Sequence, residues 1–445
     1  MAAEMVFVVA ALFLFYAYAG YPLLALLAAR LRPKGVRKGD EKPTVSVIIV
    51  AHDEEAHIAA KIESCLASRY PRELFEILVV SDGSRDRTEE IVRGFETSGV
   101  RLLAMHGPNG KPAALNHAVP TARGEVLVLT DARQRVDPEA VAELVANFSD
   151  PEVGAVSGEL HLETPPGAEP VAGVGAYWKL EKIIRLAESR FDSTVGATGA
   201  LYALRKSLYR PLDSRLILDD VAVPMDVALS GRRVVFEPKA MVFDRIFEEP
   251  SREYRRKVRT LAGNFQLVWL RPELLDPRRN RLFWQLVSHK LSRLAAPWML
   301  VALLLSSMAL AADGARFYQL AVALQLALYA FALLGALGMP LRVFSLPYSF
   351  LLLNLAAAHA LPGFLLGTEK VAWKNRPEDS ERSEPGRPPS AASPRAEASN
   401  RAKSEGALRE ARSDEPRGWG PAAPTEERGE RASRGGERAL RKGGY

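Results

Sequence analysis

Carboxylates that directly follow apolar runs are the residues of this chain with the greatest chemical reach. Asp53 and Glu54 follow the β-branched run 44–50, Asp82 follows 75–80, and Asp131 follows the four aliphatics 126–129 and Thr130. Each run reads as a buried parallel strand, and ligands of open α/β sheets bind at the carboxyl ends of such strands. A single Asp in that position also serves as a helix cap and decides nothing. Acids at the ends of three strands on one sheet edge repel one another unless a cation, or a ligand rich in hydroxyl or amide donors, sits among them. Lys111, after the third strand 100–105, enters the same edge and can offset a phosphate. The pair Asp219–Asp220, after Ile217 and Leu218, is a second acidic focus. Either acid can act as a general base if burial or its neighbour raises its pKa; the alternative is Asp219 as a helix cap with Asp220 on the surface.

The elements that must hold these residues alternate in type. Strands at 44–50, 75–80, 100–105 and 126–129 are separated by helical patterns, among them 56–68 with Ile58, Ile62 and Leu66 on one face. That alternation predicts a doubly wound, mostly parallel sheet. Further on come a helix ending at Phe148, a strand over 153–160, an amphipathic helix over 177–190, a small-residue turn at 196–200, a helix over 223–230 and a strand over 233–236. The turn lets a backbone approach a ligand closely or is a plain tight turn. No G-x-G-x-x-G follows the first strand and no G-x-x-x-x-G-K-[ST] is present, which removes the dinucleotide and P-loop readings. A nucleotide sugar with a divalent ion meets the demands of the acidic edge and its lysine. Arg252, Arg255, Arg256, Lys257 and Arg259 form a dense basic run, by default a solvated or lipid-facing helix, which could also lie beside a departing diphosphate.

The apolar residues are unevenly distributed. Residues 1–30 carry a run long enough to span a bilayer, followed by the basic linker 31–43, so its carboxyl end is expected on the cytoplasmic side. After the α/β region 44–280, residues 281–293 read as an interfacial amphipathic helix and 294–368 as three apolar spans. One anchor plus three spans leaves the tail on the far side, whereas Lys370, Lys374 and Arg376 place it in the cytoplasm. The two signals conflict unless one span is re-entrant or interfacial, and Pro347 and Pro362 make the last one the candidate. The tail, 369–445, has a disordered composition. The lone Cys65 excludes a disulfide framework, and the seven histidines show no zinc-ligand spacing. The net charge of +6 does not argue for nucleic acid, because many of the cations flank apolar spans, where anionic headgroups are the simpler partner.

In their order these motifs resemble the membrane-anchored family-2 glycosyltransferases, the cellulose-synthase-like and exopolysaccharide synthases, from the anchor to about Trp373. Residues 50–55 are similar to the family's P-A-Y-N-E-E, with Asp53 in place of Asn, and 81–84 to its D-D-G-S. The resemblance implies a GT-A-type catalytic domain in which Asp53, Glu54 and Asp82 serve the nucleotide and Lys111, from a motif like G-K-x-x-A-L-N, lies near it. It makes Asp131 the first residue of a D-x-D motif holding Mg2+ or Mn2+, and Asp219–Asp220 the catalytic pair with Asp220 as base. Arg256 and Arg259 fall where processive members carry Q-x-x-R-W, for contact with diphosphate or acceptor. Arg133 stands in place of the second Asp of D-x-D, and Arg256 and Thr260 in place of Gln and Trp. The expected activity is inverting transfer of a sugar from a nucleotide diphosphate sugar to a saccharide or lipid-linked acceptor. The expected setting is the plasma (inner) membrane with the catalytic domain in the cytoplasm, in cell-surface polysaccharide or glycolipid synthesis, with an unspecified export partner. The alternatives are a catalytically inactive membrane partner that keeps the nucleotide-binding fold, and a channel or transporter with a soluble domain; His359 is the one ionisable residue within the spans that would favour the latter.

Overall fold

The structure is a computed structural model, and it describes residues 1–163, 172–245, 250–339 and 341–367. The tail expected at 369–445 lies outside the described residues. Eight strands form one sheet: β1 (Val45–Ala51), β2 (Phe75–Asp82), β3 (Val100–Met105), β4 (Val126–Asp131), β5 (Arg135–Val136), β6 (Val153–Glu163), β7 (Leu201–Arg205) and β8 (Arg233–Arg245). The helices are α1 (Ala2–Leu31), α2 (Ile58–Leu66), α3 (Thr88–Arg93), α4 (Lys111–Thr121), α5 (Ala140–Ala146), α6 (Ala172–Phe191), α7 (Asp219–Leu229), α8 (Pro250–Leu270), α9 (Phe283–Ala312), α10 (Arg316–Ala336) and α11 (Arg342–Leu365).

The strand order is β3-β2-β1-β4-β7-β6-β8-β5. The first four strands are parallel, as their unbroken Val/Ile/Leu runs require when both faces are covered. The order reverses between β1 and β4, which is the switch point where open α/β sheets bind ligands. Register makes the strand ends level there, with Val50 opposite Asp131 and Ala51 opposite Ser81. The other half is mixed. β7 runs antiparallel to both β4 and β6, while β6 and β8 are parallel. β7 has no counterpart among the expected strands, because its five residues follow the 196–200 turn without a helix between them. α7 begins at Asp219, four residues before the expected start, so both acids sit in its first turn, where the helix dipole favours negative charge.

The apolar helices differ from expectation at two places. The segment 281–293 is not a separate interfacial helix: a single helical run covers Phe283–Ala312, and Leu286, Ser288 and His289 are buried. His289 bridges Glu188 at 2.9 Å and Glu181 at 3.0 Å, both on α6, which explains why this amphipathic stretch packs inward. The second difference concerns α11. Four helices are long and apolar enough to cross a membrane, α11 among them. Phe7 of α1 packs on Phe317 and Tyr318 at the start of α10, with ring centroids 5.9 and 5.0 Å apart. α10 then runs on, packed between α9 and α11, by roughly 20 Å to Phe331, which packs on Phe344 at 5.4 Å. From there α11 passes α1 at Tyr18, whose hydroxyl donates to Asn354 at 3.0 Å, and ends on α8, where Tyr254 meets His359 at 2.5 Å and Phe265 stacks on Phe364 at 6.0 Å. α8 belongs to the sheet domain, since its Leu267 lies in the core beside Leu218. α11 thus touches α10 near its start, α1 at its middle and α8 of the sheet domain at its end.

The basic linker is stitched to the domain. The buried Arg233 guanidinium donates to the carbonyls of Lys34, Gly35, Ser189 and Asp192, each at 3.0 Å. Arg233→Ala strands these buried acceptors, and we expect a loss of about 3 kcal/mol or more. The check is the apparent melting temperature of the detergent-solubilised chain, expected to fall by several degrees; an unchanged value would remove the strap from the account of stability.

Candidate active site

Lys111 is the hub of the acidic edge. It opens α4, directly after Gly110, whose φ of +91° suits the turn. Its ammonium lies 2.8 Å from Asp131 Oδ1 and 3.1 Å from Asp219 Oδ2. Burial alone lowers the pKa of such an amine, but Asp131 and Asp219 outweigh it, and the net shift is upward. Asp220 lies in the same electrostatic field. Burial first, then Asp219, pushes its pKa up to about 6, while Lys111 and Lys290 pull the other way. The turn at 196–200 holds this acid closely: Ala197 N–H donates to Asp220 O at 2.7 Å, and a Cβ on Gly199 would stand 3.0 Å from Asp220 Oδ2. Tyr202 of β7 reaches Asp219 Oδ2 at 3.4 Å.

The acids after β1 and β2 form a neighbouring cluster. Asp53 has a φ of +52°, the one positive value among the described non-glycine residues and one that Asp and Asn tolerate best. Its carboxylate accepts from Arg85 N–H at 2.7 Å, and Glu54, nearly buried, accepts from His57 at 3.1 Å. The His52 ring donates to Asp82 O at 2.8 Å, which ties the two loops together. Asp82 is fully buried, and its carboxylate accepts from the backbone of Asn109 at 2.9 Å and of Gly110 at 2.7 Å. Its carboxylate is thus engaged in shaping the loop that delivers Lys111. A Cβ on Gly83 would come within 2.6 Å of the Gly107 backbone, so only glycine permits this approach.

Of the expected residues, Lys111, Asp131, Asp219 and Asp220 converge, and Asp53, Glu54 and Asp82 flank them. Arg259 is exposed on α8, and neither it nor Arg256 is among the main charges acting on Asp220. α8 touches the site through Gly263 instead, where a Cβ would stand 2.6 Å from Leu218. Two cations escaped the sequence reading. Lys61 is buried on α2 and donates to Thr130 Oγ1 at 2.6 Å and Gln134 O at 2.9 Å, so it grips the Asp131 turn from both sides. Burial lowers its pKa. Its signal was a lysine on the stripe of Ile58, Ile62 and Cys65. Lys290, at the start of α9, gave no signal beyond a basic flank to an apolar run.

The residues at the edge suit a divalent ion that is shared with a ligand. Among the described residues no group of three His, Cys, Asp or Glu could hold a metal. Asp131 is a hard oxygen donor with a side chain 38% exposed. Mg2+ and Mn2+ accept such a site when phosphate oxygens and water complete the shell.

Comparison with known proteins agrees with this geometry. The Probable glycosyltransferase YdaM of Bacillus subtilis is 27% identical over 277 residues, which is 57% of this chain and 63% of the relative. A Poly-beta-1,6-N-acetyl-D-glucosamine synthase of Staphylococcus aureus is 24% identical over 234 residues, 52% of this chain and 56% of the relative. The match therefore spans less than two thirds of either relative's length. A mannosyltransferase from Pyrobaculum calidifontis, solved in complex with GDP-Man and Mn2+, superposes with a TM-score of 0.63 at 23% identity, covering 82% of this chain and 100% of that one. The shared fold is the GT-A type with apolar helices attached. Residues 46–211 match the model of Glycosyl transferase family 2.

Proposed function

We propose that the protein is a membrane-bound inverting glycosyltransferase that moves a sugar from a nucleotide diphosphate sugar to a hydroxyl of a saccharide or lipid-linked acceptor, in cell-surface polysaccharide or glycolipid synthesis. The observation that carries this reading is Lys111 bridging Asp131 and the buried Asp219, with Asp220, whose pKa is pushed up to about 6, next to that pair. Asp220 takes the proton of the acceptor hydroxyl as its oxygen attacks the anomeric carbon. The bond from that carbon to the diphosphate breaks, and the electron pair leaves with the diphosphate. Lys111 is the chain's own cation for that leaving group, with Arg133 and Arg259 as further candidates. Asp131 would hold Mg2+ or Mn2+ against the diphosphate, and the ion would neutralise the charge that develops there. Asp53 and Glu54 line the loop offered to the base and ribose, while Asp82 fixes the turn ahead of Lys111.

The general base sets the first test. Asp220→Asn is expected to lower kcat by about 10²- to 10⁴-fold while leaving the donor KM nearly unchanged. Because the base works deprotonated, the wild-type rate should rise through an acid limb near pH 6. Lys290→Gln removes a cation that holds this pKa down, so the limb should move to higher pH. Full turnover by Asp220→Asn, measured as nucleoside diphosphate released from a panel of donors, would overturn the assignment. Exhaustive chelation should abolish the same release, and Mn2+ or Mg2+ should restore it. Activity untouched by chelation would leave Lys111 and Arg133 as the only compensating charge.

For the membrane we infer three crossings, α1, α9 and α10, with α11 in the cytoplasmic headgroup layer of the plasma (inner) membrane. What supports it is the course of α11 from α10 past α1 to α8. This removes the conflict with Lys370, Lys374 and Arg376, which then follow an in-plane helix on the positive-inside face. Asp313→Cys, between α9 and α10, should react with an impermeant maleimide in intact cells, and Ser380→Cys only after permeabilisation. Labelling of Ser380→Cys in intact cells would mean that α11 crosses.

A further inference from the structure

Where α6 crosses α1, on the side away from Tyr21 and Ala25, a cavity of about 400 Å3 opens that shares no residue with the carboxylate edge. Leu26, Ile183 and Leu186 give it apolar walls, and Arg30 and Arg190 complete its lining. Leu26 is 44% and Ile183 46% exposed, while Tyr21, Ala25, Ile184 and Ala187 of the same two helices pack together. Neither arginine is ion-paired among the described residues. The Lys34 N–H donates to Arg190 O at 2.6 Å, which keeps this arginine beside the end of α1.

The depth of the cavity identifies its surroundings. From Phe7, at the aromatic cluster with Phe317, α1 rises to Arg30 by roughly 34 Å at 1.5 Å per residue. That is close to one hydrocarbon thickness of about 30 Å, so Arg30 and Arg190 stand at the headgroup level on the sheet-domain side while Leu26 faces the acyl region. A guanidinium binds phosphate oxygens in a fixed fork and is less strongly hydrated than an ammonium, which suits it to a partly dry site. Basic pockets between helices on the cytoplasmic side recognise anionic headgroups in this way.

We propose that this cavity binds one anionic phospholipid, its phosphate held between Arg30 and Arg190 and an acyl chain lying on Leu26 and Ile183. A soluble phosphate would gain nothing from the exposed leucine and isoleucine, and a zwitterionic lipid would bring its own cation against the two guanidinium groups. The site fastens the anchor and α6 to the lipid at the joint between the bundle and the sheet domain. The inference rests on the membrane placement proposed above and not on the reaction.

The test is native mass spectrometry of the purified full chain in detergent with added phosphatidylglycerol or phosphatidylcholine. The wild type should retain phosphatidylglycerol in preference. The double variant Arg30→Gln/Arg190→Gln should retain about tenfold less, as loss of about 1.4 kcal/mol of charge-assisted contact implies. Equal retention by wild type and variant, or equal binding of phosphatidylcholine, would overturn the site. So would displacement of the lipid by millimolar inorganic phosphate, which would mark a plain anion site. If the glutamine pair does not stay monodisperse, Arg30→Lys/Arg190→Lys is read in its place: it keeps the charge but loses the fork, and should bind more weakly than wild type, while unchanged binding overturns the proposal. A chain that fractionates without membranes would instead defeat the membrane placement itself.

Discussion

The structure depends on one cation held between carboxylates. Asp131 ends β4 and Asp219 opens α7, two elements far apart in sequence, and Lys111 touches both at 2.8 and 3.1 Å. Without it, Asp131, Asp219 and Asp220 would share one edge uncompensated, and repulsion would protonate them or force them apart. With it, the edge tolerates the negative charge, while the pKa of Asp220 is pushed up to about 6. The same ion pairs therefore stabilise the fold and tune its chemistry.

Much of the sheet exists to place that lysine. Asp82 spends its carboxylate on the Asn109 and Gly110 backbone, and Gly83 lets the 107–110 loop pass within contact of it. Lys61 performs the matching task from the other face, gripping Thr130 and Gln134 on either side of Asp131. A fully buried lysine is costly, and its two close acceptors offset that cost by satisfying the ammonium in place of water. The turn that carries Asp131 is thus fixed by a residue on α2, five elements upstream, and the lysine that meets it is fixed by an acid at the end of β2.

The parallel half of the sheet and the acids at its edge were legible in the sequence because both are local signals. An aliphatic run followed by Asp states the strand and its end together, as at 126–131, and the register then makes those ends level. The antiparallel β7 was not legible, since five residues after a glycine turn carry too little pattern to separate a strand from a loop. Lys290 was hidden for a different reason, and for α11 the prolines Pro347 and Pro362 marked only a candidate re-entrant or interfacial segment. Each is decided by what packs against it: Glu181 and Asp220 for the lysine, Tyr18 and α8 for the helix. Hydropathy states that α11 can cross a membrane but not that Phe344 packs on α10 and Phe364 on α8. Arg259 shows the converse, since its sequence position matched a motif and the fold leaves it exposed on α8.

Arg133 gains a physical sense from the same charge balance. Replacing an Asp by an Arg two residues beyond Asp131 shifts that turn by two charge units toward the positive, beside a lysine already shared between two carboxylates. A diphosphate entering this edge brings further negative charge, so Lys111 can serve it only by loosening its hold on Asp131 or Asp219. An arginine at the rim, half-buried and adjacent to the strand end, offers a second cation that need not be withdrawn from the pair beside the base. Under the proposed reaction the substitution would move positive charge from a borrowed ion into the chain, lowering the repulsion that the donor meets and leaving the Asp219–Asp220 pair compensated while the bond to the diphosphate breaks.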